Sequence, residues 1–252
     1  MSRQPICGDG LAAKFMTPEA QAVFQRFKSL KRPNASNATR HRIIDDLLRE
    51  ELGRDPALRV LVLGAGFDTR AFRLKGGDWL ELDQLSILEL KESALPSATA
   101  PNPLRRIGID FEHGSLETAI SAAWGDARPT VVVLEGVSMY LEQGQFAQTL
   151  ATLKRLAPGH LLVCDLISST FVNRYGRGLR KRIEKLGGHF AGTQSNPADF
   201  VVAQGYREER RISIAGRAAE LGAPSLPRWL LNSLFKSLRD GYQIHTFRDL
   251  TA

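Results

Sequence analysis

Apolar and polar positions alternate along this chain in two rhythms. Short β-branched runs are separated by longer stretches with apolar residues three and four apart, the pattern of strands and amphipathic helices taking turns. Residues 17–30 predict a helix, with Thr17 as N-cap and Pro18 in the first turn. KRPNASN is expected to break it. A second helix is predicted over 37–52, with Ile43, Ile44, Leu47, Leu48 and Leu52 on one face. Neither helix follows a strand, so both are expected to cap a sheet. Strands are predicted at Arg59–Gly64, Trp79–Leu82, Arg106–Ile109, Thr130–Leu134 and His160–Cys164. Helices are expected near 84–93, 115–124 and 142–156. A long insert, 166–196, follows strand five. A short helix at 197–204, a strand near 208–214 and a last strand at Tyr242–Phe247 complete the pattern.

Such alternation predicts an α/β fold with a mostly parallel sheet and helices on both faces. Seven strands ending in a hairpin fit a Rossmann-like methyltransferase fold better than a plain dinucleotide fold. The whole chain, 1–252, reads as one domain: an N-terminal helical cap (1–55), a core (56–165), the insert (166–196) and a C-terminal part of the sheet (197–252).

Composition narrows the classes. A length of 252 residues with 43% hydrophobic and 24% charged residues is that of an ordinary globular chain able to bury a full core. The only cysteines, Cys7 and Cys164, exclude a disulfide framework and a multi-cysteine zinc site, so no metal is expected. No apolar run reaches spanning length and MSRQPICGDG has no h-region, so a cytoplasmic protein with no membrane contact is expected. The net charge of +7 is partly local: Arg174, Arg177, Arg180, Lys181, Arg182 and Lys185 fall close together. A solvated helix face explains them, and no aromatic-interleaved basic stripe points to nucleic acid.

Candidate chemistry sits where strands end. VLVLGAGFDTRAFRL (60–74) runs from a strand into Gly64-Ala65-Gly66, a turn that lets the backbone approach a ligand at a helix N-terminus. Position 69 is threonine, preceded by Asp68, where a dinucleotide site would carry glycine; a ligand without a pyrophosphate is therefore the better guess. A glycine turn kept for packing is the plain alternative. In WLELDQ (79–84), Asp83 lies 19 residues after Gly64 and is placed to accept from ribose hydroxyls, with Glu81 as the alternate and a helix N-cap as the competing role for Asp83. In GIDFEHGSLETAI (108–120), Asp110 is placed to accept from an adenine amino group with Phe111 against the ring; capping is the alternative. In VVVLEGVSMYL (131–141), Glu135 opens over the crevice beyond the strand ends and is placed to accept from a ligand amino group. Tyr140 either lines an acceptor pocket or is a buried structural tyrosine.

Together these segments resemble the leucine carboxyl methyltransferase family, which groups the enzyme that methylates the C-terminal leucine of protein phosphatase 2A with polyketide carboxyl O-methyltransferases of the tetracenomycin type. The resemblance is carried by ATRHRIIDD (38–46), LGAGFDTRAFRL (63–74), LELDQ (80–84), IDFEHGSLE (109–117) and EGVSMYL (135–141), with weaker likeness at 196–209 and 241–247. It implies a class I methyltransferase fold with S-adenosyl-L-methionine as methyl donor. It implies that Arg40 binds the methionine carboxylate, with Arg42 close enough to compete for that role. Gly64 and Gly66, with Ala65 and Asp68 in the same loop, would cradle the donor. Asp83 would hold the ribose, Asp110 and Phe111 the adenine, and Glu135 the methionine end. The chain is short after strand five for the family, and the segments that shape the acceptor pocket transfer least. Nothing marks a peptide-tail site.

The expected function is O-methylation of a carboxyl or hydroxyl group on a small molecule, such as a polyketide-like metabolite. An ionised carboxylate needs no general base, whereas a hydroxyl benefits from one; no base is singled out, His113 and His189 being the remote options. Two other readings stand beside it. Gly136-Val137-Ser138-Met139-Tyr140, followed by Asp165 and by His189 or His245, has the order of an α/β-hydrolase triad, although Tyr140 is too large for the elbow. The basic segment 174–185 leaves room for a binding protein that holds donor or nucleic acid without turnover.

Overall fold

In the computed structural model, residues 6–110, 115–126, 128–178, 180, 191 and 193–251 are described. Seven strands form one sheet: β1 Arg59–Leu63, β2 Asp78–Asp83, β3 Leu104–Gly108, β4 Thr130–Leu134, β5 Leu161–Ile167, β6 Tyr206–Ser213 and β7 Tyr242–Asp249. Their order is β3-β2-β1-β4-β5-β7-β6. The first five are parallel, and β7 runs antiparallel between β5 and β6. The strand order reverses at β1/β4, so a crevice opens beyond their carboxyl ends, the place where open α/β sheets bind ligands.

β1 and β4 are buried at every position because both faces of the sheet are covered. On one face, Val60, Val62, Val131, Val133, Leu161 and Val163 pack against Ile43, Ile44, Leu47 and Leu48 of helix α2 (Lys31–Arg54). On the other, Leu61, Leu63, Val132, Leu134 and Leu162 meet Phe146, Leu150 and Leu153 of the helix Gln143–Leu156. Each such aliphatic side chain contributes roughly 1.5–3 kcal/mol when fully buried.

Several expectations change. KRPNASN does not break the helices: α1 (Pro18–Phe27) ends early, and α2 begins at Lys31 with Pro33 in its first turn, a place that needs no proline N–H. The stretch that looked like a breaker adds nearly two turns to α2. Strand β5 runs three residues beyond Cys164, which brings Asp165 to the strand end. β6 and β7 are paired antiparallel as a hairpin would be, yet they are joined by three short helices, α3 (Ile214–Glu220), α4 (Arg228–Asn232) and α5 (Lys236–Asp240), which the pattern did not announce. The basic stretch 181–190 lies outside the described residues.

Candidate active site

The turn after β1 gathers the first set of groups. Gly64 has φ +66°, and a Cβ there would lie 2.5 Å from a methyl of Val137, so only glycine lets the loops after β1 and β4 pass this closely. Gly66 has φ +44° and open space where a Cβ would stand, which leaves its backbone accessible. Asp83, at the end of β2, accepts from the Gly66 N–H at 2.6 Å and from the Gln84 N–H at 2.7 Å. It therefore faces the glycine loop from the neighbouring strand. Glu81, the alternate, is fully buried two residues earlier and paired with Lys91 at 2.7 Å and Arg106 at 2.9 Å. Its charge is committed to the sheet's interior. Ala65 is buried in the core, and its N–H donates to the Leu82 carbonyl. Asp110 follows β3 by two residues and is exposed. Phe111 and His113 lie outside the described residues, as does His189.

The second set comes from α2 and the ends of β4, β5 and β7. Arg40 donates from Nε to Glu135 at 3.0 Å and from Nη1 to Asp165 at 3.2 Å and to the Tyr242 hydroxyl at 2.7 Å. Tyr242 in turn donates to Asp165 at 2.7 Å. The other Asp165 oxygen accepts from the Gly136 N–H, also at 2.7 Å. Arg42 points elsewhere: it makes a surface pair with Asp46 at 2.8 Å, one helical turn on. Between Arg40 and Arg42, the helix turns only Arg40 to the strand ends.

Behind Glu135 stands Arg70, which carries no exposed surface. Its guanidinium meets Glu135 at 2.8 Å, Asp45 at 2.7 Å and one oxygen of Asp68, whose other oxygen accepts from the Arg70 main-chain N–H at 2.7 Å. Asp68, expected among the donor-binding residues, lies in the glycine loop and bonds to Arg70. With Asp45 and Glu135 it supplies the counter-charge that a buried guanidinium needs. Arg73 pairs with Asp45 at 2.7 Å, and His41 has Arg70 and Arg73 nitrogens at 2.7 and 2.8 Å from its two ring nitrogens. Asp9 joins from the N-terminal segment through Thr69 at 2.9 Å, and the Phe15 ring packs, tilted, against Phe67 of the glycine loop.

Burial opposes ionisation of Glu135, but Arg70, His41 and Arg40 outweigh it and hold its carboxyl well below the usual range. Burial likewise disfavours charge on Arg40, and Tyr242, Asp165 and Glu135 more than restore it. The Tyr242 hydroxyl is pushed well up by burial, so it stays protonated as a donor. Sequence reasoning missed Asp45, Arg70, Arg73 and Tyr242 as parts of this site. One signal was available: His41 and Asp45, four apart, interrupt the apolar face of α2.

A cavity of about 650 Å³ adjoins this end of the crevice. Arg40, Gly136, Tyr140 and Tyr242 form its inner wall, and Phe27, Leu30, Met139, Ile167, Phe171 and Leu226 supply apolar lining. Tyr140 is thus a wall residue of this cavity, half exposed rather than buried. Burial raises its phenol and Arg40 partly offsets that.

Among the described residues the hydrolase arrangement is not assembled. The Ser138 hydroxyl is buried and donates to the Asp165 main-chain carbonyl at 2.7 Å, and His245 is turned to Glu208 at 2.6 Å. No described non-glycine residue has positive φ, so Ser138 does not sit on a strained elbow.

Residues 2–154 match the leucine carboxyl methyltransferase family, well over half of the chain. The chain belongs to that family. Relatives include candidate S-adenosyl-L-methionine-dependent methyltransferases of Mycolicibacterium gilvum, 34% identical over 50% of this chain and 44% of the relative, and of Mycolicibacterium vanbaalenii, 27% identical over 68% and 60%. The chain thus spans about half the length of the curated relatives it matches. Among solved structures, a candidate methyltransferase of Thermobifida fusca superposes with a TM-score of 0.59 at 14% identity, covering 86% of this chain and 82% of that one. A magnesium protoporphyrin IX methyltransferase of Synechocystis, solved with bound SAH, gives 0.52 at 13%, covering 85% of each. At such identity these structures speak for the fold, a class I methyltransferase fold, which this member of the leucine carboxyl methyltransferase family shares.

Proposed function

We propose that this protein is an S-adenosyl-L-methionine-dependent O-methyltransferase whose acceptor is a small molecule bearing a carboxylate. Family membership and the crevice support the donor. The residues present suit it: an accessible glycine loop, an acid at the end of β2, and an arginine of α2 beside a carboxylate that follows β4. When bound, S-adenosyl-L-methionine supplies a methyl group already activated on a sulfonium.

The chain's own groups then have separable tasks. Arg40 and Glu135, opposite charges 3.0 Å apart, suit the carboxylate and ammonium of one amino acid. Asp83 suits a pair of ribose hydroxyls, and Asp110 an adenine amino group. Asp165 and Tyr242 orient Arg40, and Arg70 keeps Glu135 ionised. The protein is asked mainly for alignment in a water-poor site, which is worth roughly 7–11 kcal/mol of barrier.

One observation favours carboxylate over hydroxyl. Besides Arg40, which is paired with Glu135 and Asp165, the described cavity wall holds Arg32 and Arg180 and no carboxylate or histidine. Such a wall attracts an anion, and it offers no base to a neutral hydroxyl. Calorimetry with S-adenosylhomocysteine tests the donor half; absence of heat at high micromolar ligand would count against it. Transfer of a labelled methyl group to a panel of aromatic acids and matched phenols tests the acceptor half, with the acids expected to react and a phenol-only profile overturning the carboxylate reading.

A further inference from the structure

We propose that the outer wall of the cavity, residues 169–178 and 180 together with 224–240, is a docking face for an anionic lipid surface. These two segments carry six cationic side chains (Arg174, Arg177, Arg180, Arg228, Lys236 and Arg239) against one carboxylate, Asp240. They therefore hold most of the chain's net charge of +7. They are also in contact: the Tyr175 hydroxyl lies 2.9 Å from the Ser237 hydroxyl, and Arg174 reaches the same atom at 3.4 Å.

The same wall exposes the two large apolar side chains with the most accessible surface among the described residues, Trp229 at 68% and Leu234 at 72%. They flank the corner between α4 and α5. Among the described residues Arg228 pairs with Glu220 at 3.5 Å and borders a groove with Asp46 and Glu50, while two-thirds exposed, so its charge remains available to a partner. Lys236 is exposed beside them.

Aromatic and aliphatic tips ringed by cations match an interface of hydrocarbon under phosphate headgroups. Leu234 has nothing to offer a nucleic-acid backbone, which makes lipid the better complement. No described helix is long and apolar enough to cross a membrane, so the contact is with the surface. Leu226 and Leu238 of the same segments line the cavity, so docking turns that cavity wall to the bilayer.

The chain reports on this contact itself. Of its three tryptophans, Trp79 and Trp124 are buried, which leaves Trp229 as the solvent-sensitive emitter. Vesicles of equimolar phosphatidylcholine and phosphatidylglycerol are expected to sediment the protein and shift its emission to the blue. Phosphatidylcholine alone is expected to do neither, and high salt to reverse both. Replacing two cations, Arg228→Gln with Lys236→Gln, is expected to weaken vesicle binding by about thirtyfold at low salt. Leu234→Ser is expected to weaken it by about tenfold. These positions are exposed, and unchanged melting curves check that the variants stay folded. Equal binding to both vesicles, indifference to the variants, or binding to an oligonucleotide with vesicles ignored each overturns the proposal. Methyl transfer plays no part in the readout.

Discussion

The crevice end of the molecule and the outer wall of its cavity are built on different principles. At the crevice, four strand ends and one helix fix each charged group through main-chain turns. Arg40, Arg70, Asp45, Asp68, Glu135 and Asp165 are then satisfied by one another in a buried network. At the outer wall, short helices between β6 and β7 meet the segment after β5 through a few hydroxyl contacts, and their charges face solvent. The family match covers residues 2–154, which hold most of the crevice groups but neither Asp165 nor Tyr242. A site that handles a fixed ligand through buried charge tolerates little change. A wall that shapes an acceptor pocket with apolar side chains can be rebuilt by substitution.

That contrast can be broken at its strongest point first. Arg70→Met leaves three carboxylates without their shared counter-charge and is expected to cost about 3–5 kcal/mol of stability, read as a large fall in denaturation midpoint. A midpoint within experimental error of wild type would mean the network is not holding the strand ends together.

Next in size is a paired test on helix α2. Arg40→Gln is expected to weaken S-adenosylhomocysteine binding by about 10–100-fold, the loss of a charged hydrogen-bonding group, whereas Arg42→Gln leaves it unchanged. Equal effects at both positions would remove the distinction that the helix face draws.

A second pair compares acids on β2. Asp83→Asn is expected to lower ligand affinity by about tenfold with little change in melting temperature. Glu81→Gln should do the reverse, because Lys91 and Arg106 lose their partner inside the fold. Ligand calorimetry and thermal melts on the same samples read both.

The smallest effect is a pH dependence on the far side of the sheet. His160 is buried between Tyr206 and the Ala157 carbonyl, and burial lowers its pKa from 6.5. A folded value below the unfolded one gives stability that is complete above pH 6.5 and is lost as pH falls through the folded value. Melting temperature is therefore expected to decline below that pH, and His160→Gln to flatten the decline. His245, lowered for the same first reason, contributes in the same window and remains in the variant. An unaltered slope would assign the effect to His245 alone.

Much of the first half was legible because its signals are local. Alternating apolar runs gave five strands within a few residues, since a sheet buried on both faces demands continuous Val, Leu and Ile. Glycine followed by an acid about twenty residues on marked the turn and the neighbouring strand end because backbone geometry dictates both. Elsewhere local signals misled. Proline and asparagine in KRPNASN read as a break, yet proline in a first turn costs nothing and tertiary packing of Ala35 and Thr39 favours helix. Asp68 read as a ligand because it sits in the loop, and its bonds to Arg70 two residues later went unseen. The helices between β6 and β7 are too short to show a period.

By itself, the order of residues determined which segments become strands, which turn requires glycine, and that acids cluster at strand ends. These are properties of backbone sterics and of apolar periodicity, both readable within a few residues. Only the tertiary structure decided that Arg40 rather than Arg42 faces the crevice, that Glu81 is spent inside while Asp83 looks outward, and that Arg70, Asp165 and Tyr242 stand behind the site. Charge pairing depends on distance in space, and groups as far apart in the chain as Arg40 and Tyr242 come within 2.7 Å only when the sheet brings β7 beside β5.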